Sequence, residues 1–260
     1  MTKILFLGDI FAKTGRHLVR EFLPSLKAEL GLDLAIANAE NAAGGRGLTK
    51  SIAQDLFSYG LAALSGGNHT FQQKDFVQEL DQDPRLIRPA NWPAPCPGRG
   101  LTILDVGTVK IGFLNLMGRI FMNPNLIDCP FKAADQILAE AKAAGAKITI
   151  LDFHAETTSE KKALAHYLDG RLSALVGTHT HVQTADAQIL PKGLAYMTDA
   201  GMTGPHDSII GMDKEAVLNF FLTARPHSFK PANSGGRLEG VVLEFDEDGR
   251  AVNISSIKRP

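Results

Sequence analysis

Only two cysteines, Cys96 and Cys129, occur among the 260 residues, and both stand beside prolines in loop-like stretches. Their separation fits no zinc knuckle, and two thiols make no disulfide framework. A disulfide-stapled scaffold is excluded, and a reducing compartment is the expectation. Long apolar runs are also missing: none approaches the roughly 18–20 residues that cross a bilayer. The apolar core of residues 1–9 is too short for a signal peptide. A cytoplasmic chain with no membrane partner is therefore expected. Charge of one sign is not in surplus, the formal net charge being -1. That balance carries no electrostatic footprint of DNA binding, so no DNA partner is expected, and RNA is left open. It leaves room for a small phosphorylated substrate, because a bound cation can supply positive field locally. Repeats, low-complexity tracts and linkers are absent.

What is present is an ordinary globular composition, 44% hydrophobic and 21% charged. One domain over residues 1–260 is the simplest organisation, with a loop-rich insertion near 82–130 expected to help form the substrate pocket. Apolar runs at 3–7, 32–37 and 61–64 read as buried strands, and helical periodicity separates them at 15–30 and 49–59. Pro24 predicts a kink or a late start in the first helix, and Thr49 can cap the second. Strand and helix in alternation imply parallel pairing with right-handed crossovers. Residues 101–106 and 109–115 read as a hairpin around Gly107-Thr108. Further on come a helix at 131–144, a strand at 147–153, a helix at 159–168, and strands at 172–176 and 194–197. A helix at 214–223 and a closing hairpin of 240–245 with 252–257 complete the pattern.

The strand ends carry the chemistry. Asp9 follows the first strand, Glu40-Asn41 the second, Gly66-Gly67-Asn68-His69-Thr70 the third, His154 a later one, and His179-Thr180-His181 the one after Gly177. Taken singly, each has a plain structural use: Asp9 as a helix cap, Glu40-Asn41 as a turn, the histidines as loop hydrogen-bonding groups. Taken jointly, they form a set of oxygen and nitrogen donors without thiolate. Open α/β proteins gather strand ends at one sheet edge. In a loop past a strand, His179 and His181 can straddle a pair of ions, and the two oxygens of Glu40 can bridge ions about 3.5 Å apart. Such a set suits iron or manganese, with zinc next, better than magnesium or copper(I). Asp152 is expected to point away from His154. Glu156 is expected either to orient His154 or to cap the helix near Thr158. For substrate, Arg46 in Gly44-Gly45-Arg46-Gly47 offers a guanidinium and His206 an imidazole. Trp92 could stack on a base or pack in the core.

With these residues in place, the chain resembles a calcineurin-like metallophosphoesterase. That family has Asp after strand one, a bridging carboxylate after strand two, Gly-Asn-His after strand three, a later His and a Gly-x-His-x-His turn. Here these are Asp9, Glu40, Gly67-Asn68-His69, His154 and Gly177-Thr178-His179-Thr180-His181. There are two departures. Asp9-Ile10-Phe11 lacks the histidine of the usual D-x-H, and Glu40 followed by Asn41 stands where Asp is usual. Both departures match the YmdB-like branch, as do Asn38-Ala39-Glu40-Asn41-Ala42-Ala43-Gly44-Gly45 and Asp199-Ala200-Gly201-Met202-Thr203-Gly204.

The resemblance implies an α/β fold, an αββα sandwich with two central mixed sheets flanked by helices. It implies a phosphodiesterase acting on small phosphoesters, cyclic nucleotides foremost, through a hydroxide shared by two divalent metal ions. One ion would be held by Asp9, Glu40, Asn41 and His181, the other by Glu40, Asn68, His154 and His179, with His69 protonating the leaving oxygen. A homo-oligomer is expected. A phosphomonoesterase with the same site, or a non-catalytic nucleotide- or RNA-binding regulator, are the competing readings.

Overall fold

Apolar alternation along the first strand decides the layering. In β1 (Thr2–Leu7), Ile4 and Phe6 face one buried cluster, while Leu5 and Leu7 face another. Successive side chains point to opposite faces, so an unbroken apolar run requires cover on both sides. The structure, a computed structural model, describes residues 1–260. After β1 come β2 (Asp9–Ile10), α1 (Ala12–Leu30), β3 (Leu34–Asn38), α2 (Lys50–Ser58), β4 (Ala63–Ser65), α3 (Glu79–Gln82) and β5 (Leu86–Ile87). The middle holds β6 (Leu101–Val106), β7 (Val109–Met117), α4 (Pro130–Ala143), β8 (Ile148–His154), α5 (Thr158–Leu168) and β9 (Ala174–Thr178). The last part holds β10 (Gln188–Ile189), β11 (Ala195–Met197), β12 (Met202–Pro205), α6 (Lys214–Thr223), β13 (Gly236–Phe245) and β14 (Ala251–Arg259).

Two mixed sheets result. One runs β2-β12-β13-β1-β3-β4-β5, with β14 paired to β13; the other runs β10-β11-β9-β8-β7-β6. Within them β1, β3, β4 and β5 are parallel, as are β7, β8, β9 and β11. The sheets face each other through Ile4, Phe6, Ile36, Phe113, Ile150 and Val176. Helices α1 and α2 cover the outer face of the first sheet through Leu18, Leu23, Leu26 and Leu56. The outer face of the second is covered by α4 and α5 through Ile137 and Leu164. This is the expected αββα sandwich.

Local signals explain most boundaries. The Thr49 hydroxyl accepts from the Ile52 amide at 3.3 Å to cap α2, and Gly31 closes α1 in the left-handed conformation. Helix α1 starts earlier than expected, at Ala12, and passes through Pro24. The largest surprise is β13. Expected as half of a terminal hairpin, it is ten residues long and also pairs antiparallel with β1 along Thr2–Leu7, inside the first sheet. The segment 82–130 contributes β5, β6 and all of β7 to the two sheets.

Candidate metal centre

Parallel strands of both sheets end on one edge, and that edge collects the donors. Asp9 opens β2, Glu40 and Asn41 follow β3, Asn68 and His69 follow β4, His154 closes β8, and His179 and His181 follow β9. Asp9, Glu40, Asn41, His154 and His181 are buried, and Asn68, His69 and His179 half-buried. Gly67 makes the approach possible, since a Cβ there would collide with the Glu40 carboxylate and the His154 ring. His179 and His181 have φ of 99° and 63°. Left-handed backbone is strained for such residues and persists where the surroundings enforce it, commonly at functional sites. The paired turn is how two imidazoles two positions apart both reach the cluster.

The donors form two lobes joined by Glu40. In one, the Asn41 amide nitrogen lies 3.2 Å from Asp9 Oδ1, 3.4 Å from Glu40 Oε1 and 3.3 Å from His181 Nε2. In the other, His154 Nε2 lies 3.1 Å from Glu40 Oε1, 3.0 Å from Asn68 Oδ1 and 3.0 Å from His179 Nδ1. The ligand atoms of Glu40, His154 and His179 all fall within 4.8 Å of one another. Each histidine is held by its outer nitrogen: His154 Nδ1 at 2.9 Å from Thr178 Oγ1, His179 Nε2 at 3.1 Å from Glu156, His181 Nδ1 at 2.9 Å from the Ile210 carbonyl. The remaining nitrogens turn inward.

Electrostatics agree with a cation at each lobe. Burial opposes ionisation of Asp9, yet His181 outweighs it and holds the carboxyl down to about 2. Burial likewise opposes ionisation of Glu40, and His154 outweighs it, keeping Glu40 well below the usual range. His154 is disfavoured as a cation by burial, but Glu40 raises it to about 9. Burial also works against charge on His181, which Asp9 raises. His179, by contrast, falls to about 3 because burial and the neighbouring His154 charge both act against it. Protons on His154 and His181 thus balance the two carboxylates. A cation in each lobe would displace those protons; with the Asn41 amide turned so that Oδ1 rather than its nitrogen faces Asp9 and His181, it would meet only oxygen and nitrogen lone pairs, and the residues present then fit two divalent ions.

His69 lies beside the donors. Its amide donates to Glu40 Oε2 at 2.9 Å, and its Nδ1 sits 2.8 Å from Asn41 Oδ1. Its ring is half-buried, reaching the surface beside the cluster.

Two expectations need correction. Asp152 does not point away from His154, because residues two apart along a strand share a face. It lies beneath that histidine, its carboxylate 2.6 Å from Thr178 Oγ1. Glu156 neither orients His154 nor caps α5; it pairs with His179. His206 does not join the cluster: its Nε2 sits 3.0 Å from the Met202 carbonyl and 3.8 Å from Glu239. Trp92 packs edge-on against Phe71 and alongside Met117 and Met122. The Arg46 side chain is exposed and in no ion pair, while its carbonyl accepts from Gln73.

Sequence reasoning missed a buried ion pair. Lys161 on α5 and Asp199, both fully buried, meet at 2.9 Å. Asp199 also accepts from the Thr180 amide at 3.1 Å and hydroxyl at 2.8 Å, and Lys161 donates to the Thr178 carbonyl at 2.8 Å. Together they pin the turn that presents His179 and His181. A lysine on an amphipathic helix gives no local sign of such burial.

Known proteins resemble this chain. The profile of the family described as "YmdB-like protein" matches residues 5–257. The 2',3'-cyclic-nucleotide 2'-phosphodiesterase of Bacillus subtilis (strain 168) is 47% identical over 256 residues, 98% of this chain and 96% of that one. A crystal structure described as a novel phosphatase from Mycoplasma pneumoniae superposes with a TM-score of 0.93 at 35% identity, covering 99% of this chain and 93% of that one. The NAD nucleotidase of Haemophilus influenzae shares the fold alone, at 13% identity and a TM-score of 0.64, over 99% of this chain and 55% of that one. By profile and by sequence, this chain belongs to the YmdB-like protein family.

Proposed function

We propose that this chain is a phosphoric ester hydrolase that cleaves small phosphodiesters, cyclic nucleotides foremost, with two divalent cations. The observation that carries this is the two-lobed donor cluster sharing Glu40. Asp9, Glu40, Asn41 and His181 would hold one ion, and Glu40, Asn68, His154 and His179 the other. An all-oxygen-and-nitrogen set supports iron or manganese, with zinc next. When bound, such ions neutralise phosphoryl charge and acidify the attacking water.

The chain's own groups then position and move protons. Phosphoryl transfer asks chiefly for alignment and charge neutralisation, which buried donors on rigid strand ends supply. His69 would protonate the leaving oxygen: its Nδ1 is engaged by the Asn41 side-chain amide at 2.8 Å, which leaves Nε2 for exchange with substrate. Arg46 is a candidate phosphate contact, since its guanidinium is exposed on a loop whose Gly45 abuts Phe11, and Phe11 packs on His181.

The setting belongs to the same reading. Cys96 and Cys129 are separate free thiols, consistent with a reducing cytoplasm. No helix is long and apolar enough to cross a membrane. A homo-oligomer is supported by α6, which leaves Leu218, Phe221 and Leu222 at 52%, 75% and 80% exposure. Contiguous apolar surface of that kind suits protein contacts.

The deciding assay is hydrolysis of 2′,3′- and 3′,5′-cyclic nucleotides with added Mn²⁺ and Glu40→Gln as control. A parallel comparison of bis(p-nitrophenyl) phosphate with p-nitrophenyl phosphate separates diesterase from monoesterase, the second reading that the Mycoplasma relative's description supports. Metal-loaded protein inert on every phosphoester would leave the nucleotide- or RNA-binding regulator.

A further inference from the structure

We propose that Asp152 is a positioning residue that acts through Thr178 to decide which nitrogen His154 turns toward the metal cluster. This rests on the metal role of His154 proposed above. Asp152 is fully buried in β8, two residues before His154 on the same face. Its carboxylate is surrounded by donors: Asn38 Nδ2 at 2.8 Å, Ser65 Oγ at 2.5 Å and Thr178 Oγ1 at 2.6 Å. These come from the ends of β3, β4 and β9, the strands whose following loops carry Glu40, Asn68 and His179.

Direction follows from counting protons. An ionised carboxylate only accepts, and a hydroxyl has one proton to give. Thr178 gives its proton to Asp152, so its oxygen accepts from His154 Nδ1 at 2.9 Å. The His154 proton is thereby held on Nδ1, and the Nε2 lone pair is directed at the point shared with Glu40 and Asn68. Asn38 cannot replace Thr178, because the atom nearest His154 Nδ1, at 3.5 Å, is an amide nitrogen and itself a donor. The wiring therefore selects Nε2 as the ligand atom and holds the ring plane as well. A residue that merely stitched the two sheets together would not depend on the direction of these bonds.

The test is Mn²⁺ binding by equilibrium dialysis and titration calorimetry. Wild type should bind two ions. Thr178→Val keeps the side-chain shape but deletes the relay, and should weaken one ion by about 10–100-fold while leaving the other unchanged. Thr178→Ser restores the hydroxyl and should bind within about twofold of wild type on the same principle. Asp152→Asn should resemble Thr178→Val, because an amide nitrogen can then face the hydroxyl. In a His154→Ala background, Thr178→Val should cause no further loss, since the two changes act through one ligand. Retention of the second ion at native affinity reports that a variant is folded; where Thr178→Val fails to fold, Asp152→Asn and the serine rescue carry the test. The proposal is overturned if Thr178→Val or Asp152→Asn binds both ions normally, or if Thr178→Ser loses as much as Thr178→Val. Wild-type protein that takes up no Mn²⁺ overturns the metal reading and this assignment with it.

Discussion

The second sheet has two edges, and they are built on opposite principles. At the edge where β8 and β9 end, Asp9, Glu40, His154 and His181 are buried and linked, Glu40 to His154 directly at 3.1 Å and Asp9 to His181 through the Asn41 amide. At the edge where these strands begin lies a groove of about 710 Å³, lined by Lys142, Lys147, Arg171, Lys192 and Arg250 among others. Those five side chains are exposed, and only Arg171 is paired, with Asp135. Exposed charges are screened by water and salt, whereas buried ones act on each other at lower effective dielectric. Helices α4 and α5 also end at that edge, where cations complement the helix dipoles. Volume and charge count favour the groove; desolvation and convergence favour the tight cluster. The proposed chemistry follows the second pair of properties.

Substitutions can break this contrast. The largest effect is expected from Glu40→Gln, which removes the shared charge: turnover should fall by at least about 10³-fold and bound metal should drop below two ions. An active variant retaining both ions would remove Glu40 from the bridge. Next, His69→Ala should cut turnover by about 10²–10⁴-fold with metal content unchanged; equal loss of both would move His69 among the ligands. Lys161→Met leaves Asp199 buried without its partner and should destabilise the fold by about 3–5 kcal/mol in denaturant melts.

Proton competition gives a graded effect. His154 is raised to about 9, so at lower pH a cation must displace its proton. Apparent Mn²⁺ affinity should therefore climb as pH rises toward that value, and a flat profile would contradict the assignment. The smallest effect is expected at the opposite edge. Lys142→Ala combined with Lys192→Ala should change cyclic-nucleotide turnover by less than about twofold and stability by no more than about 0.5 kcal/mol. A large loss of turnover there would join the two edges functionally.

Much of the candidate site was legible because polar donors at strand ends are marked locally. An apolar run, a stop and a polar residue sit together in Leu64 to Asn68 and in Val176 to His181. Asp152 was within reach of the same reasoning, since alternation along β8 puts it on the His154 face. Lys161 and Asp199 were not: their meeting depends on how α5 packs over the loop after β11. His206 looked available in a Gly-Pro-His-Asp loop, and its bond to the Met202 carbonyl comes from a turn that composition does not reveal.

The amino-acid order by itself determined the alternation of strands and helices, the caps at Thr49 and Gly31, and the donor residues at each strand end. All of these depend on neighbours a few positions away. Tertiary structure alone decided that Asn38 would grip Asp152 across 114 positions of chain, that β13 would insert beside β1, and that Glu156 would serve His179. Those contacts depend on sheet order and register, which arise when distant apolar faces are buried together, and no short stretch of sequence encodes them.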